Sequence, residues 1–169
     1  MKHRKVVLIA HDIRSCYNVG SLMRSAEGLG ASHLYLTGYT PYPQTKNDTR
    51  LPHISAKLTR QIHKTALGAE QTLSWSHHKQ ISCLIKRLRS EGFQIAALEQ
   101  SPDSYSIIEL KLGEDIALLV GNETKGLDSS LLEQVDICLE IPMQGQKESF
   151  NVTVAAAIAL YHLGFFKSQ

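Results

Sequence analysis

The chain has 169 residues, 43% hydrophobic and 20% charged, with a formal net charge of +2 at neutral pH. That length suits one compact domain with a real core, and the composition excludes global disorder. The charge is too small to argue for a polyanionic partner unless it clusters locally. The three cysteines, Cys16, Cys83 and Cys138, lie far apart with no C-x-x-C spacing, which fits a reducing, cytoplasmic compartment. They form no ligand pair with the histidines, so no metal site is expected. No apolar run approaches the roughly 20 residues of a membrane span. The amino terminus is basic and then apolar, but its apolar part is too short for a signal peptide.

In chain order, residues 6–10 are a continuous apolar run, as in a strand buried on both faces. A polar loop follows, and Asn18 is placed to cap a helix. Val19, Leu22, Met23, Ala26 and Leu29 then recur at helical spacing, with Gly28 and Gly30 as the stop. Residues 33–37 read as the second strand. Residues 38–60 carry Pro41, Pro43 and Pro52 among polar side chains and read as a long loop, followed by a short helix at 61–66. Residues 72–76 are a brief strand candidate. Ile81, Leu84, Ile85 and Leu88 mark an amphipathic helix with Lys79, Lys86, Arg87 and Arg89 outward, ended by Gly92. Residues 93–98, 116–120 and 137–141 are further strands, with a short helix at 129–135 between the last two. Residues 151–163 are apolar nearly all round, which predicts a helix packed against a second subunit as well as the sheet. Strands alternating with helices imply a mostly parallel α/β sheet with helices on both faces.

Four polar segments could carry chemistry. In NVGSLMR, at 18–24, Arg24 lies roughly 150° from the centre of the apolar stripe and points away from its own core. Gly20, one turn earlier, leaves room on that face. A surface arginine paired with Glu27 is the plainer alternative. GNETKGL, at 121–127, sets a glycine straight after a buried strand, where a ligand can approach the backbone, with Glu123 at the mouth. A turn with a solvated glutamate explains the same residues. In IPMQGQKESFN, at 141–151, Pro142 removes an N–H, Gly145 permits a sharp turn and Ser149 is a sensible N-cap. Capping alone also accounts for Ser149. Lastly, residues 46–64 gather Lys46, Arg50, Lys57, Arg60 and Lys64 against Asp48, with His53, His63, Tyr39 and Tyr42 nearby. That mixture suits phosphate contact plus base stacking, or simply a solvated loop.

In this order the segments resemble the SpoU (TrmH-type) RNA ribose methyltransferases of the SPOUT superfamily. The matching motifs are N-x-G-x-x-x-R at 18–24, GNE-x-x-GL at 121–127 and IPM-x-G-x-x-x-S-x-N at 141–151, so the likeness spans nearly the whole chain. Phe150 departs from the leucine most often found there. The resemblance implies a SPOUT-type fold with a C-terminal deep trefoil knot, which no hydrophobic pattern would predict. It also implies a homodimer with the site at or near the interface. S-adenosylmethionine would be held by Leu98, Glu99, Gly121, Ile141, Met143 and Phe150. The reaction implied is methyl transfer to an RNA ribose 2′-hydroxyl, with tRNA placed ahead of rRNA as substrate. Arg24 would be catalytic, and Asn18, Glu123, Ser149 and Asn151 would orient it, the ribose and the loops. Because an arginine pKa lies above about 12, a fixed cation that stabilises the forming alkoxide is as consistent as a base. Residues 1–169 are expected to form a single domain with no separate N-terminal RNA-binding domain. RNA contacts would then fall to the basic segment, with Arg50, Lys57, Arg60 and Lys64, and to the helix bearing Lys86, Arg87 and Arg89. Two rival readings are an inactive knotted protein that binds RNA or S-adenosylmethionine, and a generic nucleotide-binding domain, although the latter's phosphate-cradling glycine fingerprint is missing.

Overall fold

The most apolar runs of the chain pair at the centre of the molecule. In the computed structural model, which describes residues 4–109 and 115–165, β1 (Val6–His11) lies parallel to β6 (Ile116–Val120), with Val6 opposite Ile116 and Ala10 opposite Val120. Every residue of the pair except His11 is buried. The other strands are β2 (His33–Thr37), β3 (Trp75–His78), β4 (Gln94–Leu98), β5 (Tyr105–Ser106) and β7 (Ile137–Glu140). They complete a seven-stranded sheet in the order β3-β2-β1-β6-β4-β7-β5, and all its pairings are parallel.

Alternate strand residues point to opposite faces, and each face has its own core. Leu8, Ala10, Leu34, Leu36 and Leu118 meet α1 (Cys16–Gly28), α2 (Pro52–Ala66), α3 (Ala69–Thr72) and α6 (Val152–Phe165). Val7, Ile9, Ile95 and Leu119 meet α4 (Ile81–Ser90) and α5 (Ser129–Leu132). A parallel sheet puts all its strand carboxyl ends on one edge, where the connecting loops gather into a ligand-binding crevice.

Several boundaries differ from expectation. α1 begins earlier, because the Ser15 side chain caps it by accepting from the Asn18 N–H at 3.3 Å. Asn18 is therefore inside the first turn, and its side chain is free for another task. The end of α1 is as expected. Gly30 has φ +73°, its N–H reaches Glu27 O at 3.0 Å and the Ala31 N–H reaches Ala26 O at 2.8 Å, closing the last carbonyls. The largest difference is α2, which begins at Pro52 and absorbs the last part of the expected loop, residues 52–60. Proline is favoured in a helix's first turn, where no N–H is needed, so Pro52 starts this helix rather than breaking it. Residues 69–72 turn helical and push β3 on to Trp75. The expected cap of α6 is also corrected. Asn151, not Ser149, immediately precedes Val152, and its Oδ1 accepts from the Thr153 N–H at 2.8 Å.

Candidate functional site

A cleft of about 240 Å³ opens at the carboxyl ends of β4, β6 and β7. This is a little below the roughly 300–1,000 Å³ of ligand pockets. Its lining includes the expected Leu98, Glu99, Gly121, Glu123, Ile141, Ser149 and Phe150, but not Met143, Asn151, Asn18 or Arg24. Val120, Leu139 and Val152 add apolar wall, and Glu140 adds a third carboxylate beside Glu99 and Glu123.

The glycines of the 121–127 loop answer first to the loop itself. A Cβ on Gly121 would lie 2.7 Å from Leu127 Cδ2 and 2.8 Å from the Gly126 backbone. Gly126 has φ +66°, and a Cβ there would strike the Glu99 carboxylate. Glu99 Oε2 accepts from the Leu127 N–H at 2.9 Å. The Glu99 side chain thus reaches across the cleft to hold the opposite loop.

Glu123 joins the cleft to α1. Its carboxylate accepts from the Arg14 N–H at 3.0 Å, the Ser15 N–H at 3.0 Å and Asn18 Nδ2 at 2.9 Å. Partial burial pushes its pKa up, but those hydrogen bonds outweigh it and leave the net value below ordinary. An ionised acid at a helix start also suits the helix dipole. The neighbouring Asn122 was missed in the sequence. It is buried, and its Oδ1 accepts from the Thr124 and Lys125 N–H groups, both at 2.9 Å. Its Nδ2 donates to Asp12 O and to the Tyr39 hydroxyl oxygen, both at 2.9 Å. One side chain therefore ties three loops together. The only hint was a polar side chain two positions past a wholly apolar strand.

Arg24 is exposed on α1 and has no hydrogen-bond or ion-pair partner among the described residues; the alternative, a pairing with Glu27, is not formed. It lines a separate surface depression with Lys64, Thr65 and Leu67. The room expected at Gly20 is filled by α2, since a Cβ there would strike Ile62 O and Thr65 Oγ1. Thr65 Oγ1 also donates to Tyr17 O at 2.7 Å.

On α2, Lys57, Arg60 and Lys64 are all exposed, as is His53. Spacings of four, three and four residues put them on one helical stripe, which runs to the depression holding Arg24. Arg50, expected with them to contact RNA, is held differently. Its guanidinium pairs with Asp48, donates to Tyr42 O at 2.9 Å and Pro43 O at 3.1 Å, and stacks 3.6 Å over the Tyr42 ring. Hydrogen bonds from Arg50 outweigh desolvation and hold the Asp48 carboxyl well below its usual range. Arg50 staples the 38–51 loop. Among the described residues, no group of His, Cys, Asp and Glu could hold a metal, and no helix is long and apolar enough to cross a membrane.

An open parallel sheet with a cleft at its carboxyl edge, roofed by glycine loops that are locked to a helix start, defines an open α/β protein with its candidate ligand site at the strand ends. The SpoU rRNA Methylase family model matches residues 5–161, and the chain belongs to that family. It is 28% identical over 159 residues to a tRNA (guanosine(18)-2′-O)-methyltransferase of Borreliella burgdorferi, covering 94% of this chain and 65% of that protein. It is 30% identical over 161 residues to a 23S rRNA (guanosine(2553)-2′-O)-methyltransferase of Bacillus subtilis, covering 95% and 58%. The chain thus spans less than two thirds of either relative. Among solved structures, the A. aeolicus TrmH/SpoU tRNA modifying enzyme superposes with a TM-score of 0.76 at 22% identity, over 96% of this chain and 75% of that one. An AdoMet-bound rRNA methyltransferase from Sinorhizobium meliloti also gives 0.76, at 23% identity, over 96% and 56%.

Proposed function

We propose that this chain methylates a ribose 2′-hydroxyl of RNA using S-adenosylmethionine, and that two copies act together. The observation that carries this is the link from cleft to cation. Glu123 lines the cleft and holds Asn18 on α1, and α1 carries the unpaired, exposed Arg24 beside the basic stripe of α2.

The cleft residues fit the cofactor. Three carboxylates, Glu99, Glu123 and Glu140, suit a cationic ligand, and Val120, Leu139, Ile141 and Phe150 offer apolar surface to an adenosyl group. When bound, S-adenosylmethionine supplies an electrophilic methyl group on a sulfonium. Glu123 and Asn18 fix the start of α1 against the cleft, and Ser149 and Phe150 border the cofactor. Met143 and Asn151 act through the loop and the α6 cap. Arg24 grips a backbone phosphate and stabilises the charge that develops on the attacking 2′-oxygen. As a permanent cation it need not take the proton, which passes to solvent.

Arg24 stands outside its own chain's cleft, so this reading places the ribose where two copies meet. The outer face of α6 supports the pairing. Val154, Ile158, Tyr161 and Phe165 are exposed at spacings of four, three and four, opposite the buried Ala156, Ala159, Leu160 and Leu163. The trefoil knot belongs to the same reading, as does cofactor contact with loops 98–100, 120–126 and 139–155 at once. Relatives act on tRNA and on rRNA, and we take tRNA first.

The test is calorimetry with S-adenosylmethionine, followed by 2′-O-methyl mapping of tRNA and rRNA with and without the gene. Arg24→Ala should bind cofactor normally and lose about 10²- to 10³-fold in kcat, the loss typical of removing one charge-stabilising group. Full activity in that variant would remove Arg24 from the chemistry. Cofactor binding with no methyl reaching any RNA would instead mark a binding protein.

A further inference from the structure

The loop between β2 and α2 presents one bare aromatic ring beside the cleft. Tyr39 is 60% exposed, yet it is held in place. Its backbone N–H donates to Asp12 Oδ1 at 3.0 Å, and its hydroxyl oxygen accepts from Asn122 Nδ2 at 2.9 Å. Asp12 adopts φ +55°, unusual for a residue with a side chain. Gly38 has φ +66°, and a Cβ there would strike the same Asp12 carboxylate. Further along, Arg50 staples the loop. A strained aspartate, an obligatory glycine and a buried asparagine thus combine to hold a ring that contributes little to any core.

Tyr42, three residues on, is a useful contrast. Arg50 stacks on it at 3.6 Å, and His77 stacks with its ring at 4.1 Å. Tyr42 is consumed inside the protein, whereas Tyr39 is pinned by its edge and keeps its ring exposed. The pin is Asn122, a lining residue of the cleft next to Glu123. Arg14, whose backbone N–H donates to the Glu123 carboxylate, offers an exposed cation on the same rim.

We propose that Tyr39 is a stacking platform for a nucleobase of the RNA strand, at the methylated nucleotide or its immediate neighbour. The inference rests on the methyltransferase reading above and deepens it. A protein that modifies a ribose must hold the attached strand still, and an aromatic face does so for any base. Tyr39 is thereby separated from the phosphate-gripping stripe of α2. The stripe sets electrostatic affinity, and the ring sets position.

The experiment compares wild type, Tyr39→Ala and Tyr39→Phe by fluorescence anisotropy with a short single-stranded RNA, and with the same RNA carrying one abasic position scanned along it. Tyr39→Ala should weaken RNA binding about 5- to 100-fold, the range of one base–aromatic stack. Cofactor affinity and the salt dependence of RNA binding should not change. Tyr39→Phe keeps the ring but loses the Asn122 pin, so it should retain the abasic sensitivity of wild type with affinity between wild type and Tyr39→Ala. Wild type should lose affinity at one or two abasic positions, and Tyr39→Ala should be insensitive at those positions. Equal RNA affinity in wild type and Tyr39→Ala, or abasic penalties that simply add to the alanine effect, would overturn the proposal. Anisotropy needs no methyl transfer, so an inactive wild type would defeat the methyltransferase reading while the binding comparison still judged Tyr39.

Discussion

Asn122 and Glu123 are adjacent, yet each works on a different neighbour. Asn122 gathers its own loop, Asp12 and Tyr39, whereas Glu123 fastens the start of α1. The lowered pKa of Glu123 has a definite sign in stability. The ionised acid's contribution is fully present above its ordinary value of 4.5 and is lost as pH falls through the depressed folded value. Glu123→Gln should therefore flatten the acid side of the stability–pH curve, measured by urea unfolding between about pH 3 and 6. The second residue-level prediction concerns Gly20. Gly20→Ala forces a methyl group into Ile62 O and Thr65 Oγ1, and should cost about 1–3 kcal/mol in denaturant unfolding. The motif was readable in the sequence, but the reason for its glycine was not. Helical spacing tells which face a residue occupies, and it does not tell what stands opposite. Here that neighbour is a helix whose first half passes for loop.

At the scale of elements, long apolar periodicity was legible and short segments were not. α1, β1, β2, α4, β4 and β6 lie close to where their patterns put them, because burial on a full stripe or on both faces leaves a strong trace. β5 is two residues long and carries no period. α2 was obscured by its polar composition and by Pro52, although its extension is what aligns His53, Lys57, Arg60 and Lys64. Reversing Lys57, Arg60 and Lys64 to glutamate should weaken RNA binding and flatten its dependence on log salt by about 0.7–0.9 for each phosphate no longer neutralised. Arg50→Ala should behave otherwise. It removes the Tyr42 stack and the hydrogen bonds to the Tyr42 and Pro43 carbonyls, so it should lower the melting temperature and leave the salt slope unchanged.

For the whole molecule, the sheet order and the exposed face of α6 carry most of the meaning. A helix with apolar side chains outward on a protein of this size marks a contact surface. On the pairing proposed above, the paired change Val154→Glu and Ile158→Glu should yield monomers in sedimentation experiments and depress methyl transfer more than cofactor binding. The apolar character of this helix was legible from the sequence, while the cleft was legible only through its motifs, since its walls come from residues 98 to 155.

The central strand pairing has a further consequence during synthesis. β1 emerges from the ribosome more than a hundred residues before its partner β6. Until then, only β2 can cover one edge of β1, and the other edge is an apolar strand with open hydrogen-bonding groups. The nascent chain therefore passes through a long window in which it is prone to stick to other chains. Refolding from denaturant should accordingly be slow and lose yield as protein concentration rises, even though the finished sheet keeps that strand wholly enclosed.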